Sequence, residues 1–278
     1  MALELLDQLS LPGDPAKANE DSYQHGDAAA VVMDGATPLG DALMPGPSDA
    51  AWIAQFGARR LLAHLRDGEG ARKALRSALT DAQKSFEALS RMPPQDVWQT
   101  PCASMMLAAQ GSADVEFLWF GDCAALLKQG DAAVQIVGES FEKRGDETSL
   151  AGRLAKEKGR AATDRSHFID SLKERRNRIN SGNYWLFSPE PKAAAHVSRR
   201  LVKLAPGAII LLASDGFLAL ASDYGAYSAD TLLAAALDKG LATLGEELRA
   251  IEAGDADGVT FPRFKKSDDA TALLLRLA

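Results

Sequence analysis

Four acidic points lie far apart in this sequence, each beside a segment of strand character. The stretch Val31-Val32-Met33-Asp34-Gly35-Ala36 reads as an apolar strand that ends on a carboxylate and a glycine. A strand end can hold a carboxylate rigidly, and the glycine allows a sharp turn and close backbone approach. Ile209-Ile210-Leu211-Leu212-Ala213-Ser214-Asp215-Gly216 repeats the design. Asn19-Glu20-Asp21 near the start and Ser267-Asp268-Asp269-Ala270-Thr271 near the end complete the set. Hard divalent cations such as Mg²⁺ and Mn²⁺ take oxygen ligands of this kind. Two such ions about 3.5–4 Å apart need a bridging carboxylate and a few terminal ones, and they activate water against a phosphoryl group. Asp34, Asp215, Asp268 and Glu20 can supply these ligands if the fold brings them together. Taken singly, each has a plainer explanation: Asp-Gly after a strand is usually a turn, Asn19-Glu20-Asp21 could cap a helix, and Asp268-Asp269 could be exposed.

Composition narrows the field. The chain has 278 residues, 46% hydrophobic and 25% charged, ordinary for a soluble globular protein with ample length for a core. A formal net charge of -7 disfavours non-specific nucleic-acid binding. No run of about 18 apolar residues is present, so no membrane span is expected. The start, Met-Ala-Leu-Glu-Leu-Leu-Asp, is acidic and lacks the basic region of a signal peptide. Cys102 and Cys123 sit in apolar segments and read as buried, reduced thiols of a cytoplasmic protein. His25, His64, His167 and His196 show no ligand spacing, so a histidine-based zinc site is not expected.

The elements that must position these acids follow from periodicity and turn signals. Residues 1–18 read as a loop-like lead, and residues 20–34 as two short strands. A loop of about a dozen residues follows Gly35. Ser48 or Asp49 can cap a helix that runs to Arg66, and a second helix spans 69–91 before Pro93-Pro94. Strands are expected at 102–109, 115–120, 124–128 and 133–137, joined by short turns that suggest antiparallel neighbours. Residues 139–183 are rich in Lys and Arg, with a helical portion at 166–180 lacking a strong apolar face. This stretch reads as a solvated insertion or as a basic flap over an anionic substrate. Tyr184-Trp185-Leu186-Phe187 reads as core, or as a wall of a substrate groove. Strands at 208–214 and 271–277 and helices at 218–221, 231–237 and 241–251 complete an α+β pattern.

The order of the acidic points resembles the metal-dependent protein phosphatases of the PP2C family, of bacterial type. The matching stretches are Asn19-Glu20-Asp21-Ser22, Met33-Asp34-Gly35, Phe120-Gly121-Asp122-Cys123, Ala213-Ser214-Asp215-Gly216-Phe217 and Asp268-Asp269-Ala270-Thr271, and they span nearly the whole chain. The resemblance implies one domain over residues 1–278, a four-layer αββα sandwich of two antiparallel sheets flanked by helix pairs. It implies a centre of two Mn²⁺ or Mg²⁺ ions, with Asp34 bridging them and the Gly35 carbonyl on one. Glu20, Asp215 and Asp268 would be terminal ligands. Asp21 would hydrogen-bond metal-bound waters, and Asp122 falls where the family can hold a third ion. The implied reaction is hydrolysis of phosphoserine or phosphothreonine on a protein by a metal-activated water.

The sequence departs from that family at three places. Asp34-Gly35-Ala36-Thr37-Pro38 lacks the histidine that some members carry after the first Asp-Gly. The usual phosphate-binding arginine position is Ala16; Lys17 next to it either reaches the phosphate as a point charge or is a surface lysine. An acid that often supports the third ion is replaced by Ala219. Two rival readings keep the same residues: a phosphatase-like module that binds phosphorylated or anionic partners without turnover, and a phosphatase of a small phosphorylated metabolite.

Overall fold

An apolar strand with no polar face has to be covered on both sides. Four strands here have that character: β3 (Ala29–Gly35), β4 (Ala103–Gln110), β9 (Ile209–Ala213) and β10 (Ala270–Leu277). The computed structural model describes residues 2–111, 114–138, 169–263 and 265–278, and shows how the covering is done. One sheet runs in the order β1 (Leu3–Leu11), β10, β9, β6 (Ala124–Lys128), β7 (Gln135–Gly138). The other runs β2 (Asp21–Gly26), β3, β4, β5 (Val115–Phe120), β8 (Ser198–Val202). Every neighbouring pair is antiparallel.

Successive side chains of a strand point to opposite faces, so each central strand feeds two cores. Val32, Met106 and Phe117 point inward and meet Ile210, Leu212, Leu273 and Leu275 of the facing sheet. Val31, Met33, Met105 and Leu107 point outward, against Ile53, Leu61, Leu75 and Leu79. Those partners belong to α1 (Asp49–Arg66) and α2 (Ala71–Leu89). On the opposite side, Leu211, Ala272 and Leu274 pack against Phe217, Leu232, Leu244 and Leu248. After α3 (Ile169–Arg176), these lie in α4 (Asp215–Ser222), α5 (Ala229–Lys239) and α6 (Leu241–Gly254). The result is the expected αββα sandwich.

Caps set where the helices begin. Ser48, not Asp49, caps α1: its hydroxyl accepts from the amides of Ala50 and Ala51 at 3.2 and 3.4 Å. Asp49 is buried and accepts from the amides of Leu43 and Met44, which ties down the loop after Gly35.

Three sequence expectations need correction. Residues 3–11 are a strand rather than a loop, because a register shift between Leu5 and Asp7 breaks the alternation by which a strand is read. β8 escaped notice since four of its five residues are exposed; it is an edge strand held partly by an ion pair between Arg199 and Glu116. The helix expected over 218–221 starts at Asp215 itself. Of the basic stretch at 139–183, residues 139–168 lie outside the described residues; α3 occupies 169–176. No described helix is long and apolar enough to cross a membrane.

Phe117 is fully buried between the sheets. Phe117→Ala is expected to cost about 3–5 kcal/mol in urea denaturation. A loss below about 1 kcal/mol would contradict a tightly packed inter-sheet core.

Candidate metal centre

Strand register brings the first acids together. Asp34, next to last in β3, lies opposite Asp21 of β2 on one side and Ser104 of β4 on the other. Asp122 arrives from the turn between β5 and β6. Gly121 makes that turn with φ of 66°, and a side chain there would run into the Ser104 hydroxyl. Asp215 arrives from the junction of β9 and α4, where Ser214 is the N-cap. Carboxylate oxygens of Asp34, Asp122 and Asp215 all lie within 4.8 Å of one another. Gly35 follows Asp34 at the strand end and donates its amide to the Glu20 carbonyl at 3.0 Å. A Cβ at Gly35 would collide with the Ala50 carbonyl, so only glycine lets β3 approach the start of α1 this closely.

Such crowding is unfavourable without a cation. Burial, then the charges of Asp215, Asp21, Asp122 and Asp268, push the Asp34 carboxyl well above the usual carboxylate range. Burial is also the main cause raising Asp21 to about 7, with Asp268 and Asp269 adding to it and the Ser214 hydroxyl opposing it. Oδ1 of Asp122 and Oδ1 of Asp21 are buried with no hydrogen-bond partner. An orphaned carboxylate oxygen beside two further carboxylates is an all-oxygen donor set, and it fits a hard divalent ion such as Mn²⁺ or Mg²⁺.

The remaining expected ligands, Glu20 and Asp268, are not in that cluster, and each has partners of its own. Glu20 Oε1 accepts from the Ser48 hydroxyl at 2.6 Å, and Oε2 accepts from the Thr37 hydroxyl. Asp268 Oδ1 accepts from the Lys265 ammonium at 2.6 Å. Lys17 is exposed and sits 3.6 Å from Asp14, which matches the surface alternative. Asp122, doubtful by sequence because of Ala219, is brought into the cluster with Asp34 and Asp215.

Several positioning residues carried no sequence signal of their own. Asp269 accepts from the amides of Gly13 and Glu20 at 2.7 and 2.6 Å, fixing the N-terminal acids against the end of the chain. Ser214 donates to Asp21 at 2.7 Å and accepts from the Thr271 amide at 2.9 Å. Asn19 accepts from the Asp21 amide at 2.9 Å. Only the chain-order motifs containing Asn19, Ser214 and Asp269 could have pointed to them. Lys265 lies outside those motifs.

Near this site, Arg176 donates to the Thr37 carbonyl at 2.8 Å. It lines a groove with Ala36, Pro38, Leu39 and Trp98. Lys173 lies over the Trp98 ring at 4.2 Å. Of the aromatic stretch, Phe187 is core, while Trp185 is half-buried and stacks on His196 with centroids 3.5 Å apart. Cys102 and Cys123 are free and buried, and burial pushes both thiols up.

No protein-family model and no curated protein matches the sequence. Solved structures do match. The Mycobacterium tuberculosis serine/threonine phosphatase PstP aligns over 100% of this chain and 99% of its own, with TM-score 0.59 and 16% identity. A structure of its catalytic domain in complex with two manganese ions aligns over 99% and 98%, with TM-score 0.55 and 16% identity. The PP2C phosphatase domain of SpoIIE from Bacillus subtilis, with a fragment of its regulatory domain, aligns over 99% of this chain and 63% of that one, with TM-score 0.55 and 13% identity. This chain has the PP2C fold. The PPM phosphatase MsPP from Mycobacterium smegmatis, in complex with cacodylate, shares it at TM-score 0.56 and 16% identity over 99% and 100%. In this chain the two sheets bring Asp34, Asp122 and Asp215 to one place.

The raised Asp21 carboxyl has a measurable consequence in metal-free protein. An unfolded aspartate releases its proton near 3.8, whereas folded Asp21 keeps it to about 7. The folded state therefore binds more protons across that window, and stability falls as pH rises through it. Asp21→Asn removes this dependence. In EDTA it is expected to exceed the parent by roughly 1–3 kcal/mol at about pH 8 and by much less at about pH 5. Urea melts at both pH values check this; identical pH slopes would refute it.

Proposed function

We propose that this chain is a metal-dependent phosphoric-monoester hydrolase that removes phosphate from phosphoserine or phosphothreonine on proteins, with residues 1–278 as one catalytic domain. The observation that supports this most is the convergence of Asp34, Asp122 and Asp215 within 4.8 Å, with an orphaned Asp122 oxygen among them. The ions would be Mn²⁺ or Mg²⁺, two in number, held by Asp34, Gly35, Asp215 and Asp122 and by Glu20 and Asp268. When bound, they would activate water and neutralise charge on the phosphoryl group.

The chain's own residues do the rest. Asp34 stands centrally, held by strand pairing on both sides, so its carboxylate is fixed before any ligand arrives. Asp21, beside Asp34 on the neighbouring strand and held by Ser214 and the Asn19 turn, would hydrogen-bond water in the centre. Arg176 supplies a guanidinium beside the loop after Gly35, where it suits a phosphate better than exposed Lys17. Trp98 and Leu39 line a shallow depression beside that point. Two buried free cysteines suit a reducing compartment such as the cytoplasm.

A second reading, a binding module without turnover, is favoured by the engagement of Asp268 with Lys265. Phosphate release decides between them. With added Mn²⁺ the protein is expected to hydrolyse an aryl phosphate and phosphoserine peptides, and Asp34→Asn or Asp215→Asn should lower turnover at least about 100-fold without unfolding. No release at any metal concentration would leave the binding module. Faster hydrolysis of small phosphorylated metabolites than of phosphopeptides would exclude the protein substrate.

A further inference from the structure

The two halves of the acidic site differ in how their charge is met. Asp34, Asp122 and Asp215 face one another, and Asp122 Oδ1 has no hydrogen-bond partner. In the other half, hydroxyls of Thr37 and Ser48 engage both oxygens of Glu20. Asp268 Oδ1 accepts from the Lys265 ammonium at 2.6 Å and from the Asp269 amide at 2.9 Å. A cation of this chain thus already stands on a carboxylate that the family resemblance gives to a metal.

The loop before β10 holds Lys265 in place. Asp255 accepts from the amides of Thr260 and Phe261 at 2.9 and 3.0 Å and pairs with Arg263 at 2.7 Å. Arg263 also donates to the Phe261 carbonyl at 2.9 Å and to the Lys266 carbonyl at 3.0 Å, one residue beyond Lys265. The Asp255 carboxyl is held down to about 2, against the effect of its burial, by those amides and Arg263, so this anchor is ionised at any working pH. Burial works against the Lys265 charge, but Asp268 above all, then Asp34 and Glu20, hold it protonated. The side chain keeps 31% of its surface exposed although the ammonium is turned inward onto Asp268.

We propose that Lys265 is a tethered cation that competes with a divalent ion for Asp268. An ion whose ligands leave out Asp268 meets no such competitor, and a second ion that takes Asp268 binds only by displacing Lys265. Turnover then tracks the second, weaker event, and metal concentration sets activity over a range far above that of the first site. This inference rests on the metal-dependent reading above.

Titration calorimetry of the whole protein with MnCl₂ tests it. The parent is expected to show one tight and one weak event. Lys265→Gln should strengthen the weak event about tenfold, the scale of one charge-assisted hydrogen bond, and leave the tight one within about twofold. Lys265→Arg keeps the charge and should keep the weak event weak, which separates charge from packing; thermal melts check that all three proteins are folded. An unchanged weak event in Lys265→Gln, or equal strengthening of both events, overturns the inference. If phosphate release stays metal-dependent in that case, the hydrolase reading stands. No Mn²⁺ binding in any of the proteins overturns both.

Discussion

Like charges held at contact distance are the constraint on which this molecule turns. Asp34, Asp122 and Asp215 are brought together at one end of two sheets, with Asp21 opposite Asp34 on the neighbouring strand. Burial first, and then the charges of neighbouring acids, raise the carboxyls of Asp34 and Asp21. The repulsion is borne by backbone pairing: β2, β3 and β4 fix Asp21, Asp34 and Ser104 side by side, and a slip of one residue would turn every side chain to the other face. Three stacked apolar cores make such a slip prohibitive, because Val31 and Val32 serve different layers. Stability invested in the sandwich thus holds a site that is strained on its own.

Polar clamps then join the two sheets at that end. Ser214 lies on the first sheet's side and binds Asp21 of the second. Asp269 reaches back to Gly13 and Glu20. These bonds are partly or fully buried, where an unmade partner is costly, so they fix distance as well as add affinity between the layers. The acids of one sheet are thereby positioned against those of the other without any side chain long enough to sag.

What could be read from the sequence follows from local pattern. Asp34 and Asp215 announce themselves because an apolar run ending on Asp-Gly is both a strand and a stop. The central strands and the paired helices α1 and α2 were legible for the same reason. β1 was hidden by its bulge, and β8 by its exposed, arginine-rich edge. Asp122 looked weak because Ala219 removes its expected companion, yet the turn at Gly121 aims it into the cluster regardless. Lys265 gave no signal, since a lysine three residues before an aspartate is commonplace; its meaning comes only from where β10 starts. Lys17 looked functional by its position in the chain but points to Asp14.

β10 lies between β1 and β9, and Ser10 meets Thr271 across 261 residues of chain. Asp21 and Asp34 meet within the β2–β3 hairpin, whereas Glu20 is joined to the far end of the chain only through Asp269, next to β10. Loop-closure entropy opposes a pairing of such sequence separation. Only that pairing brings Glu20 to Asp269. The topology thus makes the acidic site depend on both ends of the chain at once: a chain cut short of Asp268 keeps Asp34, Asp122 and Asp215 but loses Asp268 and the Asp269 clamp on Glu20.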